Sequence, residues 1–374
     1  MVLQIKKGVR YLLLVPLLFF FSSCHIVRYV YWNYANIDDY KKFPVDTLSN
    51  APPSFHFYTN PNLYRLTLPT KFHTTCDTCS LDDYLIKQNT LAFLVVRNDT
   101  LIYEKYFKGY SREAVFPSFS VTKSYVSALV GIAIDEGYIK SIDQPVTDFI
   151  PELKSRGFQK VSIRDLLEMR SGIKFSENYI NPFGKIAKFY YGLDLKKYTL
   201  HLKAVSEPGK TYYYQSANAQ ILAMVLERAT GKRISDYLDE KIWKPLGMEF
   251  DGSWSLDSKK HRDVKAFCCI NGRAVDFAKF GRLYLNDGQW ENKEIIPVRW
   301  IRESLTVYND SRDIQGYPYT YFWRVTEEHD FFAKGLLGQY IYVSPKKNTI
   351  IIRIGAKAGN INWPELFKGI VEEL

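Results

Sequence analysis

The sequence predicts a mixed α/β fold of the α+β kind. An antiparallel sheet draws strands from both ends of the chain, helices flank it, and a mainly helical subdomain is inserted between. Three observations predict this. LAFLVVRNDTLIYEKYF, from Leu91, holds two apolar runs around the polar turn Arg97-Asn98-Asp99-Thr100, a hairpin pattern. Near the C-terminus, GQYIYVSP and KKNTIIIRIGA are joined across Pro345-Lys346-Lys347-Asn348 and read as a second pair. Between them the pattern is mostly helical, as in SIRDLLEMRSG, AQILAMVLERATGKRISDYLDEKIW and VDFAKFGRLYLNDG. Strands that lie at both ends have each other as partners. With 374 residues, 46% of them hydrophobic and 16% aromatic, the chain can bury a sizeable core.

Residues 1–23 stand apart. Lys6, Lys7 and Arg10 precede the apolar run Tyr11–Phe21, and Ser22-Ser23-Cys24 follow. A positive start, a short apolar core and small residues describe an export signal, and the run is short for a membrane span. Small residues before a cysteine also resemble a bacterial lipobox, which marks Cys24 for lipidation. The alternative is an uncleaved N-terminal anchor. Residues 24–80, rich in Tyr, Asn, Pro and Asp, show no clear periodicity and read as a lipid-anchored approach segment. The formal charge of +10 comes without a long basic run, so nucleic acid is not an expected partner. Cys76 and Cys79 could close a disulfide in an oxidising compartment. Cys268 and Cys269 are adjacent, a bridge between them would be strained, and they read as free buried thiols.

FPSFSVTKSYVSALVGIAIDEGYI, Phe116 to Ile139, carries the chemistry. From about Ser120 to Gly137 it reads as a helix apolar on nearly every face, hence buried. Yet Lys123 sits in its first turn, on the same face as Ser120. A serine at a helix start lies among unpaired backbone N–H groups, and a desolvated lysine one turn on loses proton affinity and can accept the serine proton. The alternative is a lysine that snorkels to water or pairs with a carboxylate. Ser171–Lys174 and Ser344–Lys347 share the spacing but fall in loops.

This segment resembles the active-site helix of the serine β-lactamase and penicillin-recognising superfamily, in particular its class C and esterase branch with the 6-aminohexanoate-oligomer hydrolases. The resemblance runs from about residue 81 to the C-terminus and includes the first hairpin, VSIRDLLEMRSGIKF and GRAVDFAKFGRLYLNDGQW. It implies a β-lactamase/transpeptidase-like domain over 81–374. It places the second motif at Tyr214-Gln215-Ser216, with Tyr214 relaying a proton. Tyr34-Ala35-Asn36 also spells a class C motif but is set aside, because it precedes the nucleophile beside the anchor. The third motif stands at AKGLLGQYIYVSP. There Gly335 and Gly338 let backbone approach the substrate, Gln339 follows, and the N–H of Leu336 joins that of Ser120 in an oxyanion hole. No Lys-Thr-Gly appears.

The expected protein is an exported, envelope-attached serine hydrolase that cuts a small amide, ester or short peptide through a Ser120 acyl-enzyme. Lys123 and Tyr214 serve as the proton relay, and no metal or cofactor is required. Alternatives are a D,D-peptidase or β-lactamase acting on cell-wall peptides or β-lactams, and a non-catalytic surface binding protein on the same fold. The first test is the anchor: Cys24→Ala is expected to release the protein from the membrane fraction. Unchanged retention would replace the lipid with a plain N-terminal anchor.

Overall fold

A computed structural model of the chain describes residues 25–59, 66–75 and 79–374. The signal segment, Cys24 and Cys76 lie outside the described residues. In chain order the strands are β1 (Val45–Leu48), β2 (Tyr58–Thr59), β3 (Thr90–Arg97), β4 (Thr100–Tyr106), β5 (Phe116–Pro117), β6 (Gly252–Ser255), β7 (Ile270–Gly272), β8 (Gln289–Trp290), β9 (Lys293–Glu294), β10 (Tyr319–Thr320), β11 (Trp323–Val325), β12 (Phe331–Gly335), β13 (Gln339–Ser344) and β14 (Thr349–Gly355). The helices that bear on the site are α1 (His25–Trp32), α2 (Thr122–Asp135), α3 (Lys185–Tyr191), α4 (Ser216–Thr230), α5 (Ala274–Leu285) and α6 (Trp363–Glu372).

The main sheet has eight strands in the order β10-β11-β12-β13-β14-β3-β4-β2. The first hairpin and the last strands meet as the sequence implies. β14 runs antiparallel to β3, with Thr349 opposite Arg97 and Ile352 opposite Leu94. Asn98 and Asp99 turn the hairpin with φ of 50° and 57°, the left-handed pair that suits a two-residue turn between twisted strands.

Alternation along β3 splits its side chains between two cores. Leu94 and Val96 join Ile350 and Ile352 in the larger one. Phe93 and Val95 join Ile351 beneath Leu366 and Phe367 of α6. Both faces are covered, which is why these strands read as unbroken apolar runs. α5 lies across β13 and β14 on the larger side. α2 is buried along its length from Thr122 to Ala133.

Two features differ from the sequence reading. A second sheet, in the order β1-β6-β7-β5, takes β6 and β7 from the end of the stretch read as helical and β1 from the approach segment. Its strands are two to four residues long, too short to show a period. The approach segment is also built into the fold. β1 pairs with β6, β2 runs parallel to β4, and α1 packs on α3. Cys79 is disulfide-bonded.

One buried cation registers that packing. Lys265 is fully buried. Its Nζ donates to the Tyr190 carbonyl at 2.8 Å and lies 4.2 Å from the Phe43 ring centroid. Burial, then the charge of Arg28 on α1, lower its pKa to about 7. Above pH 7 the unfolded chain therefore holds a proton that the folded chain gives up, and stability climbs with pH until the unfolded lysine also titrates. Below about pH 7 both states are protonated and the penalty is constant. Denaturant unfolding is expected to show a rise of roughly 2 kcal/mol between pH 7 and pH 9 from this group. Lys265→Met should remove that rise; an equal slope in the variant would assign it elsewhere.

Candidate active site

Ser120 does not open α2. It sits in a 3-10 turn, Phe119–Val121, that leads into the helix. Phe119 just before it has φ of 47°, a left-handed backbone that costs a bulky residue about 1–2 kcal/mol. The turn is pinned from several sides. The Ser118 N–H donates to the Ile270 carbonyl at 2.8 Å, and Ile270 N–H donates to Thr122 Oγ1 at 3.0 Å. Ser124 Oγ donates to the Phe322 carbonyl at 2.9 Å.

Lys123 is 1% exposed. Its Nζ donates to Ser120 Oγ at 2.9 Å and to the Phe267 carbonyl at 2.6 Å. No carboxylate pairs with it among the described residues, and it does not reach solvent. The same Nζ lies 5.1 Å from the Tyr214 ring centroid. Tyr214 stands edge-on to Tyr319, with centroids 6.1 Å apart, and the buried Arg324 lies 5.0 Å over the Tyr319 ring, held by Asp313 at 2.6 Å. Ser120, Lys123 and Tyr214 are thus brought together from two distant parts of the chain.

Ser216 opens α4. Its N–H and its Oγ both donate to Glu177, which also accepts from the Tyr179 hydroxyl at 2.5 Å. Burial and the Glu177 carboxylate push the Tyr179 phenol well up. Glu177 had no signal in the sequence beyond its place after the Ser171-Gly172 turn.

Leu336 and Leu337 reach the site, while Gly335, Gly338 and Gln339 shape the backbone behind it. A Cβ on Gly335 would meet the Ser118 carbonyl at 2.4 Å, so this glycine lets β12 press against the segment that carries the nucleophile. Gly338 has φ of 82°, and a Cβ there would meet the Arg353 guanidinium at 2.1 Å. Gln339 accepts from the Gly355 N–H at 3.0 Å and donates to the Pro117 carbonyl at 3.4 Å, which ties β14 to β5. Arg353, absent from the sequence reading, is buried with no carboxylate partner among the described residues. It donates to the carbonyls of Gly338 (2.6 Å), Leu337 (3.3 Å), Gln88 (2.8 Å) and Lys357 (3.2 Å). Its guanidinium stacks 3.6 Å over Trp363, and burial lowers its pKa to about 9.

Cys268 and Cys269 are not free thiols. They are joined to each other. The chain accommodates this by a tight turn in which Cys269 has φ of 80°, which faces the two sulfurs together. The bridge directly follows Phe267, whose carbonyl receives Lys123, and Cys268 lines the adjoining cavity. That cavity holds about 210 Å³ beside Ser120. Its other walls include Phe119, Ile186, Ala187, Tyr190, Tyr191 and Leu336. Among the described residues no charged one lines it.

The family model described as Beta-lactamase matches residues 83–361. A 6-aminohexanoate-dimer hydrolase from Paenarthrobacter ureafaciens is 26% identical over 310 residues, 76% of this chain and 76% of the relative. Esterase EstB of Burkholderia gladioli is 28% identical over 189 residues, 45% of this chain and 47% of the relative. Among solved structures, a Bacillus anthracis protein assigned as a 6-aminohexanoate-dimer hydrolase superposes with a TM-score of 0.76 at 22% identity, covering 92% of this chain and 93% of that one. A class C beta-lactamase mutant superposes with a TM-score of 0.63 at 17% identity, covering 85% and 100%. These two likenesses carry the fold.

Arg353 offers a direct test of how the turn at Leu336–Gly338 is held. Arg353→Met removes the donor from four carbonyls, that of Gly338 buried and the other three partly buried, a loss expected to destabilise the fold by roughly 3 kcal/mol. Denaturant unfolding reads it; an unchanged midpoint would mean the turn is held by other contacts.

Proposed function

Because the chain belongs to the beta-lactamase family and is a hydrolase of the serine β-lactamase fold, we propose that it cleaves an amide or ester bond through a Ser120 acyl-enzyme. The observation that carries this reading is the hydrogen bond from buried Lys123 to Ser120 Oγ at 2.9 Å, at the edge of a cavity with room for a substrate. Ser120 Oγ attacks the carbonyl carbon as its proton passes to the Lys123 amine. The oxyanion that forms takes the N–H groups of Ser120 and Leu336, and one such donor contributes about 3–4 kcal/mol in the transition state. Lys123 and Tyr214 pass the proton to the leaving nitrogen or oxygen, and the C–N or C–O bond breaks. Water then attacks the acyl-enzyme along the same proton path and frees Ser120. The relatives named as a 6-aminohexanoate-dimer hydrolase and an esterase fit this chemistry. We place the enzyme outside the cytoplasmic membrane, held at the cell envelope through Cys24.

A fluorophosphonate probe separates this reading from a binding protein on the same fold. Labelling is expected in the parent and absent in Ser120→Ala. Lys123→Arg keeps a donor at similar reach, but an arginine stays protonated at neutral pH and cannot take the serine proton. Acylation should therefore be abolished with folding intact, and near-normal labelling would leave Lys123 a positioning role only.

Substrate preference follows from the third motif. Leu336 and Leu337 offer no charge to a substrate carboxylate, and apolar side chains do not offset its desolvation. A short p-nitrophenyl ester is expected to exceed nitrocefin in kcat/KM on one preparation. A clear preference for nitrocefin would move the enzyme to the β-lactam-cleaving alternative.

A further inference from the structure

The cavity beside Ser120 is closed by the part of the chain set aside as an approach to the anchor. Tyr29, Tyr34 and Ala35 line it together with Ser120. α1 begins one residue after Cys24 and is fixed to the catalytic domain. The Tyr29 hydroxyl donates to the carbonyls of Tyr179 (2.9 Å) and Ile180 (3.1 Å). The Tyr29 ring stands edge-on to Tyr191 at 5.4 Å, whose own hydroxyl donates to the Asn33 carbonyl at 2.5 Å. Tyr190, on the far wall, donates to Asp39 at 2.5 Å. The hydroxyls of Tyr29, Tyr179, Tyr190 and Tyr191 therefore all have partners, and what these residues offer the cavity is ring surface.

We infer that the segment from Tyr29 to Ala35 is a wall of the substrate site, and that it selects an uncharged apolar acyl group of medium length. The inference rests on the reading of Ser120 as the nucleophile only for which bond is cut. The volume supports the length. About 210 Å³ is roughly seven times the share of one water in the liquid, and a methylene is of similar size. The chemistry supports the absence of charge. An acyl chain that ends in an ammonium or carboxylate would be desolvated with no charged partner in the cavity. Tyr34, 52% exposed, stands at the mouth, where it sets how far a longer chain can extend. Outside the cavity Tyr31 and Ile180 present apolar side chains to solvent on the same two segments, so the approach to the mouth also suits an amphiphile.

The test uses the full chain with Ser120→Ala, so that nothing turns over, and calorimetry with acetamide, octanamide, 8-aminooctanamide and dodecanamide. Octanamide is expected to bind roughly a hundredfold tighter than acetamide, because its chain leaves water for the cavity. The terminal ammonium of 8-aminooctanamide should erase that gain. Ala35→Phe fills the cavity from the N-terminal side and is expected to lower octanamide affinity about tenfold or more. Tyr34→Ala, at a half-exposed site where truncation is tolerated, should move the preference toward dodecanamide. A flat chain-length series, or a preference that neither substitution shifts, overturns the inference whatever the ester rates show. An intact, variant-sensitive octanamide preference in a protein with no Ser120-dependent ester hydrolysis upholds the wall and overturns the hydrolase reading alone.

Discussion

A lysine nitrogen held away from water by two oxygens is the constraint around which this structure is arranged. The protein gives Lys123 Nζ two partners, Ser120 Oγ and the Phe267 carbonyl. Each acceptor makes a demand. Ser120 must sit one turn back on the same face, which the 3-10 turn and the left-handed Phe119 achieve. Phe267 must present its carbonyl inward, and the bridged turn at Cys268–Cys269 follows it directly. The apolar character of α2 is the third demand, because a polar face would admit the water that Lys123 is kept from.

A buried arginine ties the sheet to the site. Arg353 stands on β14, in the middle of the main sheet, yet its guanidinium holds the carbonyls of Leu337 and Gly338. Gly338 leaves it room, and Gly335 lets β12 close on Ser118. The glycines thus bring backbone against backbone around the nucleophile. The site is thus tied to the sheet through one residue that belongs to both.

Much of this was legible in the sequence, because the signals were local. The hairpin at Asn98-Asp99, the strands ending at Ser344 and Gly355, and the largely apolar α2 each follow from a few adjacent residues and a period. Ser120, Lys123 and Tyr214 could be singled out for the same reason: each sits in a short motif with its own context. What escaped reading depends on distant partners. Arg353 looks like any strand arginine until Trp363 and the Leu337–Gly338 turn are placed around it. Glu177 becomes part of the site only when α4 delivers Ser216 to it. β1, β5, β6 and β7 are too short to show alternation. Adjacency at Cys268 and Cys269 argued for free thiols, and the turn that joins them is set by the packing around Phe267. Tyr34-Ala35 was set aside on position along the chain, yet the fold returns that position to the cavity.

The pairing of β3 with β14 has a consequence in time. Arg97 leaves the ribosome early, and its partner Thr349 comes close to the end of the chain. Ser120 and Lys123 are likewise made early, while Leu336, Gly338 and Arg353 come late. Contacts this far apart in sequence form slowly, since the loop between them must close first. Until that late segment is made, the chain carries its nucleophile without the turn that would complete the site, and its central sheet without a middle. The catalytic site and the sheet are therefore completed by one and the same stretch of chain.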